Sequence, residues 1–251
     1  MSQYHRFFIQ KNTELRSPPL VPEIKLHLAV DATELWQMTT KELEDNGLPL
    51  PFWGFAWAGG QALARYILDN PQLVEDKSVI DMGAGSGLVG LSALFSHASQ
   101  VDFKEIDGFA AEAIHLNLTA NQLDQDYQII LEHLPEFTSQ NQSRWDVILA
   151  GDVFYEQEMS NIILSDLRKF AQLGKLVLVG DPGRAYFPKE GVKKLAQYPV
   201  ETPIYLEEQN ISETTIWQIR ALDLDSPNDC LKKFKSNRLF GFLITFAIFL
   251  G

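Results

Sequence analysis

Hydrophobic residues along this chain alternate between short continuous runs and longer stretches in which they recur at helical spacing. Continuous runs that are typical of buried strands occupy residues 78–81, 100–105, 128–131, 146–150 and 176–180. Between them the spacing is helical, as where Leu88, Leu91 and Leu94 follow one another. Strands that alternate with helices need crossover connections, which place helices on both faces of a parallel sheet. The pattern therefore predicts a doubly wound α/β fold with a mostly parallel sheet.

The segment before this alternation is predicted to be helical. Asp31 followed by Glu34 is a capping pattern, and apolar residues then recur near helical spacing until Gly47, a residue typical of helix ends. A second helix is predicted over residues 61–70, where an apolar face stops before Pro71. Together these segments predict an N-terminal helical extension of the fold.

The C-terminal part of the pattern predicts a terminal antiparallel hairpin. Residues 200–206 and 214–220 are strand-like, and the polar connection 207–212 between them suits a turn. A charged segment and then an apolar one follow this hairpin. We therefore expect one domain over residues 1–222 and a separate tail over residues 223–251.

Composition narrows the classes of partner. The 33 acidic and 21 basic residues give a formal net charge of -12, which repels nucleic acid. Cys230 is the single cysteine, and no Cys/His cluster has the spacing of a zinc site, so we expect an intracellular, cytoplasmic protein without a bound metal. The first residues lack the apolar core of a secretory signal. We also expect a monomer.

The end of the tail is unusually apolar. Residues 239–250 are nearly all hydrophobic, and Lys232, Lys233, Lys235 and Arg238 stand just before them. A helix needs roughly 20 apolar residues to cross a bilayer, and this run is shorter. We therefore favour a surface-lying or partner-covered segment, or an accidental extension of the reading frame, over a membrane anchor.

The first buried strand leads into a glycine loop. Gly83, Gly85 and Gly87 alternate with other residues before the helix that carries Leu88. Glycines permit a tight turn and let a ligand approach the main chain, while the helix N-terminus offers unpaired N–H groups. Glu105 ends the second strand about twenty residues later, where a carboxylate can accept both hydroxyls of a ribose. The loop and the acid together predict a cofactor that contains adenosine.

The spacing of these glycines favours S-adenosylmethionine over NAD. A dinucleotide site has the spacing G-x-G-x-x-G with a pyrophosphate at the helix N-terminus, whereas this loop has G-x-G-x-G with Asp81 two residues ahead of it. A carboxylate at Asp81 repels a pyrophosphate but can hold the amino group of a methionyl moiety, directly or through water. An NAD-type oxidoreductase is the alternative interpretation.

A second candidate group follows the fourth predicted strand. Ligands bind at the carboxyl ends of the strands in sheets of this kind, so Asp152, Phe154 and Tyr155 are expected to border the methyl group that is transferred. An acid followed by aromatic residues suits a cationic amine. In the alternative interpretation, Asp152 caps a helix and the two aromatic residues pack in the core.

Several motifs together resemble the protein-lysine methyltransferases that modify the β subunit of electron transfer flavoprotein, within the seven-β-strand, class I methyltransferases. The matching segments are LVPEI at residues 20–24, PFWGFAWAGGQAL at 51–63, the loop at 81–87, GDVFY at 151–155 and GDPGR at 180–184. The resemblance extends from about Phe7 to about Ala221, and the second and last of these motifs are more discriminating than the loop glycines. Two features depart from the pattern: Glu105 stands where aspartate is commoner, and the tail lies outside the resemblance.

The resemblance also implies the fold and the roles of residues. It implies a seven-stranded Rossmann-like sheet, S-adenosylmethionine as the cofactor, and a protein lysine as the methyl acceptor, with the electron transfer flavoprotein β subunit as the candidate substrate. The residues implied to contact the cofactor are Trp57, Asp81, Gly83, Gly85, Gly87 and Glu105. Asp152, Phe154 and Tyr155 are implied to lie near the lysine. A ribosomal protein or a small amine is the alternative acceptor.

Deleting residues 223–251 is expected to leave methyl transfer intact and to increase solubility, because the apolar run is too short to span a membrane, has a basic flank and lies outside the predicted domain. The measurements are the methylation rate and the soluble yield of the full and shortened chains. A shortened chain that binds cofactor but has lost all turnover would contradict this prediction.

Overall fold

The computed structural model describes residues 3–29, 35, 50–131, 143–200 and 213–221. In chain order its helices and strands are α1 (Gln3–Asn12), β1 (Thr13–Arg16), β2 (Leu26–Ala29), α2 (Ala58–Asp69), β3 (Ser78–Met82), α3 (Leu88–Phe95), β4 (Gln100–Glu105), α4 (Gly108–Ala120), β5 (Tyr127–Leu131), β6 (Val147–Gly151), α5 (Gln157–Gln172), β7 (Leu176–Asp181), β8 (Val192–Pro199) and β9 (Glu213–Ile219). Two single-turn 3-10 helices, Phe52–Gly54 and Pro71–Leu73, flank α2.

Strands β3 to β9 form one seven-stranded sheet with the order β5-β4-β3-β6-β7-β9-β8. The first five strands in this order are parallel, and β9 and β8 join them in antiparallel pairings. The predicted doubly wound α/β fold is therefore confirmed. The chain extends the sheet outward from β3 through β4 and β5, and then returns to the other side of β3 with β6. A crevice is expected outside the carboxyl ends of β3 and β6, where this order reverses.

Both faces of the sheet are covered, and successive residues of the central strands point to opposite faces. Val147 and Leu149 of β6 belong to the hydrophobic cluster that includes α2 and α3. Ile148 and Ala150 of the same strand pack with the buried face of α5. Burial on both faces explains why these strands appear in the sequence as continuous apolar runs.

The N-terminal part of the chain differs from the sequence-based expectation. Helix α1 was not predicted, because its sequence has few aliphatic residues, yet Phe8 and Ile9 are buried in a cluster with Trp53 and Phe109. Strands β1 and β2 follow as an antiparallel pair. The helix predicted to begin near Asp31 lies outside the described residues, apart from a buried position at residue 35. The helix predicted over residues 61–70 is confirmed as α2, which starts earlier.

The terminal antiparallel hairpin is confirmed, but its first strand was predicted in the wrong place. Strand β8 ends at Pro199, and Val200 is a buried residue outside it. The rest of the predicted strand and the connection at 207–212 lie outside the described residues. The register of β8 against β9 shifts between Lys194 and Ala196, which indicates a bulge. A bulge interrupts the two-residue alternation that is typical of strands, so the sequence pattern did not predict β8.

The tail over residues 223–251, with Cys230, also lies outside the described residues. The expected domain boundary after residue 222 falls there as well, and it stays a prediction. Of the helices that the structure describes, none combines the length and the apolar character that crossing a membrane requires.

A close approach between backbones fixes α2 against the sheet. A Cβ atom on Gly59, in the first turn of α2, would lie 2.2 Å from the carbonyl oxygen of Gly180 in β7 and 2.6 Å from Oδ2 of Asp152. A Cβ atom on Gly180 would in turn lie 2.1 Å from the carbonyl oxygen of Gly59. Only glycine allows the two main chains to meet in this way. The N-terminus of α2 is thereby held at the carboxyl ends of β6 and β7.

Gly59→Ala is expected to destabilise the protein by about 1–3 kcal/mol, because the added methyl group overlaps backbone that has no rotamer by which to move away. Gly60→Ala is the matched control in the same turn, since its Cβ atom would meet only Val89 Cγ2 at 3.9 Å among the described atoms. That variant should be neutral or stabilising by up to about 1 kcal/mol, because alanine favours helix. Denaturant unfolding measures both, and equal midpoints for the two variants would contradict the close-approach argument.

Candidate active site

A cavity of about 700 Å³ opens at the carboxyl ends of β3, β4 and β6, where the sheet order reverses. Its lining combines glycines, aromatic rings and charged side chains. The residues that concern the site are Phe52, Trp57, Gly83, Gly85, Lys104, Glu105, Asp107, Asp152, Tyr155, Glu156, Glu158, Met159 and Arg184. Six of the nine residues proposed from the sequence are therefore brought together: Trp57, Gly83, Gly85, Glu105, Asp152 and Tyr155.

The glycine loop after β3 has the geometry of a ligand cradle. Gly83, Gly85 and Gly87 have φ angles of 68°, 54° and 80°, which side chains strongly disfavour. A Cβ atom on Gly85 would have no described atom within 4 Å, so the loop borders open space at this point. The backbone N–H of Gly85 donates to Oε1 of Glu105 at 2.5 Å, which ties the loop to the end of β4. Bare backbone beside a cavity fits the close approach of a cofactor.

Glu105 and Trp57 line the cavity, and each side chain is fixed by a hydrogen bond to the backbone. Oε2 of Glu105 accepts from the N–H of Ile106 at 3.0 Å, and burial raises the pKa of this carboxyl. Trp57 is the residue that precedes α2, and its ring N–H donates to the carbonyl of Phe52 at 2.9 Å. Their contact with a cofactor stays a prediction, which their position in the lining supports.

Asp81 and Gly87 are the two ends of the loop and do not line the cavity. Asp81 is 1% exposed, and its Oδ2 accepts from the N–H of Gly90 in α3 at 2.8 Å. Burial raises its pKa to about 7, and the charge of Glu105 adds to the shift. Gly87 precedes α3, and a Cβ atom there would meet Ile114 at 3.0 Å. In the structure both residues shape the loop, and their contact with the cofactor, for Asp81 directly or through water, stays a prediction.

Asp152 follows β6 and is buried, with 9% of its side chain exposed. Its Oδ2 accepts from the N–H of Gly60 at 2.8 Å, and its Oδ1 accepts from Nη2 of Arg184 at 2.7 Å. Burial raises the pKa of this carboxyl, while the Arg184 guanidinium acts in the opposite direction. Asp152 does not cap the following helix, because Glu156 occupies that position and accepts from two N–H groups of α5. The carboxylate therefore reaches the cavity already paired.

The two aromatic residues after Asp152 point in different directions. Tyr155 is 44% exposed, lines the cavity, and lies with its ring 5.4 Å from that of Phe52. Phe154 is fully buried, and its ring packs edge-on against Phe187 at 5.4 Å. The expectation that Phe154 lies beside the transferred group is corrected, because its side chain belongs to the core under the site.

Arg184 is the functional residue whose role the sequence did not show. The sequence placed it only within the matching GDPGR motif, yet its side chain lines the cavity and its Cζ lies 5.8 Å from the ring centre of Trp57. The pairing with Asp152 joins residues 32 positions apart, for which a single sequence carries no signal. Within the described ranges, no group of three or more His, Cys, Asp or Glu side chains is arranged to hold a metal ion.

Comparison with known proteins connects this geometry to a chemistry. Residues 39–193 match a protein-family model described as lysine methyltransferase. The chain is 37% identical over 218 residues to the electron transfer flavoprotein beta subunit lysine methyltransferase of Xenopus laevis, and the match covers 84% of this chain and 85% of that protein. The Homo sapiens protein of the same name is 33% identical over 216 residues, with 84% of this chain and 80% of that protein covered. These matches are to methyltransferases and agree with the expected cofactor, S-adenosylmethionine.

Gly85→Arg is expected to abolish S-adenosylmethionine binding, because the new side chain fills the space that the loop leaves open. Gly174→Arg is the matched control, since Gly174 also has a positive φ angle, of 80°, and no described atom within 4 Å of its Cβ position, but does not line the cavity. Calorimetry on the folded proteins should show micromolar-class binding for the parent and the control alone. NADH binding to the parent in place of S-adenosylmethionine would contradict the cofactor assignment.

Proposed function

The chain belongs to the lysine methyltransferase family, and from this premise we propose that it methylates a lysine of the electron transfer flavoprotein β subunit. As a member of that family it is an S-adenosylmethionine-dependent protein-lysine N-methyltransferase. The relatives named for this activity match over more than four fifths of the chain, which supports the same acceptor protein here. The cytoplasmic location and the monomeric state stay predictions.

The cavity is lined by two chemically different groups of residues, which supports a division into a cofactor side and an acceptor side. The glycine loop, with Glu105 and Trp57, and the pair formed by Asp152 and Tyr155 line a single cavity. The loop offers bare backbone, as a cofactor requires, whereas the pair offers a carboxylate and an aromatic ring. Carboxylates and aromatic faces attract the side chain of lysine. We assign the first group to the cofactor and the second to the methyl acceptor.

The residues on the acceptor side have to align an amine. S-adenosylmethionine, when bound, supplies a methyl group that is activated by its attachment to a sulfonium. A lysine ammonium has a reference pKa near 10.4 and no lone pair, so the nitrogen must lose its proton before it can accept the methyl group. The ring of Tyr155 confines the lysine side chain, and Asp152 orients its nitrogen, which makes alignment the main contribution of the protein.

The acceptor is tested by incubating the protein with labelled S-adenosylmethionine and purified electron transfer flavoprotein β subunit. Mass spectrometry should locate the label on a lysine of that subunit. A parallel incubation with whole-cell extract identifies the acceptor if it is a ribosomal protein or another protein instead. Label on another protein, with none on the β subunit, would remove the proposed substrate while leaving the enzyme class in place.

Asp152→Ala is expected to reduce turnover by about two orders of magnitude or more, while S-adenosylmethionine affinity stays within a few-fold, because a positioning contact to the amine is lost. Asp152→Asn should recover little, since an amide keeps the shape but loses the carboxylate that pairs with Arg184 and accepts from the amine. Tyr155→Phe should be milder because its ring remains.

The matched control for these variants is Asp166→Ala. Asp166 is also a largely buried acid, paired with Lys169 at 2.8 Å, but it lies on α5 outside the cavity lining. This control should keep the parent turnover per folded molecule. A folded Asp152→Ala protein that methylates at the parent rate would remove Asp152 from the acceptor site.

A further inference from the structure

Arg184 is fixed in place by the turn that follows β7. Oδ1 of Asp181 accepts from the backbone N–H groups of Gly183 and Arg184, at 2.7 and 2.8 Å. Gly183 has a φ angle of 102°, which suits glycine alone. The turn therefore folds back at the carboxyl end of the strand and directs the Arg184 side chain into the cavity lining.

The guanidinium of Arg184 occupies the surroundings that a lysine ammonium is expected to seek. It bonds the Asp152 carboxylate at 2.7 Å and lies over the Trp57 ring at 5.8 Å. The two charged side chains are largely buried, since 17% of the Arg184 side chain and 9% of the Asp152 side chain are exposed. Solvent and salt screen a largely buried ion pair only weakly. The positive charge of Arg184 therefore offsets the negative charge of Asp152 within the cavity.

Other charged groups face the same space from the neighbouring elements. The end of β4 and the loop after it contribute Lys104, Glu105 and Asp107, and the start of α5 contributes Glu156 and Glu158. Asp181 lies beneath the turn, where burial raises its pKa to about 7. The residues that line the cavity from the segment before α2 are uncharged, namely Leu50, Phe52, Trp53 and Trp57. Acids thus outnumber bases around the acceptor site, and such a site favours the ammonium form of lysine, which cannot react.

We propose that Arg184 is a positioning residue that cancels the charge of Asp152, so that the cavity accepts the lysine side chain as a neutral amine. This inference rests on the proposed function, because it needs an amine acceptor. With Arg184 present, Asp152 can accept a hydrogen bond from the amine without holding an extra proton on it. The nitrogen proton passes to water, the N–C bond forms as the C–S bond breaks, and the thioether leaves with the bonding electron pair. The positive charge then resides on the methylated nitrogen.

Removing the charge of Arg184 should alter the pH dependence of the reaction. In Arg184→Gln the buried carboxylate keeps a hydrogen-bond donor but loses its cation, so the site takes up a proton in its place. The amine is more basic than the carboxylate and holds that proton. The acid limb of the rate profile should therefore move upward by about one to two pH units, the usual effect of one nearby charge. This shift corresponds to a rate loss of about tenfold or more near neutral pH that is recovered toward pH 10.

Two further variants separate charge from structure. Arg184→Lys keeps the charge and should retain the parent limb, with a rate within a few-fold. Arg65→Gln is the matched control, because 19% of the Arg65 side chain is exposed and it pairs with Glu23 and Asp69 outside the cavity. Its profile should superimpose on that of the parent. Rates are measured from pH 6.5 to 10 with the β subunit as acceptor, and S-adenosylmethionine affinity is checked for every variant.

A second measurement does not depend on the identity of the acceptor protein. Butylamine labelled with ¹³C beside its nitrogen mimics the lysine side chain, and its chemical shift reports whether the nitrogen is protonated. In the presence of S-adenosylhomocysteine, the pKa of the bound amine is measured for the parent and for Arg184→Gln. The amine bound to Arg184→Gln should have a pKa above that of the amine bound to the parent, by about one to two units.

The outcomes distinguish this inference from the proposed function. If the parent leaves the β subunit unmethylated but butylamine behaves as expected, the substrate is wrong and the role of Arg184 stands. If the β subunit is methylated while Arg184→Gln slows the reaction equally at every pH, Arg184 has a structural role and the inference is overturned. Equal amine pKa values on both proteins, or no saturable butylamine binding to the parent, would overturn it as well.

Discussion

The contact between the first turn of α2 and the end of β7 is the constraint on which the acceptor side of the site depends. Gly59 and Gly180 meet backbone to backbone, at a separation that no Cβ atom would permit. This contact brings the N–H of Gly60 within 2.8 Å of the Asp152 carboxylate and places Trp57 in the lining of the cavity. The helix N-terminus also carries a partial positive charge, which helps the buried carboxylate to remain ionised. One packing contact therefore positions both Trp57 and Asp152.

The cofactor side of the site could be predicted from sequence because its requirements are local. Three alternating glycines after a buried strand specify positive φ angles within a few residues, and the structure has them at 68°, 54° and 80°. What the loop spacing could not show is which neighbouring side chains turn toward the cavity. Asp81 is drawn to the N–H of Gly90 by the way α3 packs on the sheet, and that packing is set by residues of other elements. The motif identified the loop, while the tertiary structure decided which of its residues face the cavity.

Loops and irregular strands account for the remaining differences. Phe154 and Tyr155 are adjacent in a segment without regular periodicity, so nothing in the sequence indicated that one is buried against Phe187 and the other is 44% exposed. Strand β8 was missed because its bulge breaks the alternation of inward and outward residues. The parallel strands, by contrast, are buried on both faces, and the continuous apolar runs that result are strong signals.

The ion pair of Asp152 and Arg184 is a costly feature that stability alone does not explain. Two charges removed from water lose hydration that their mutual attraction repays only in part, so a buried pair contributes little to the free energy of unfolding. The pair changes what the cavity binds, however. A bare carboxylate would hold the lysine ammonium tightly, and tight binding of an unreactive form lowers KM without lowering the barrier to methyl transfer. With the charge of Asp152 cancelled, the amine that binds is the form that reacts, and the methylated ammonium that is produced gains no equally strong hold on the site. Burying the pair is unfavourable for stability, but the pair lies where the charge of the acceptor decides whether the acceptor can react.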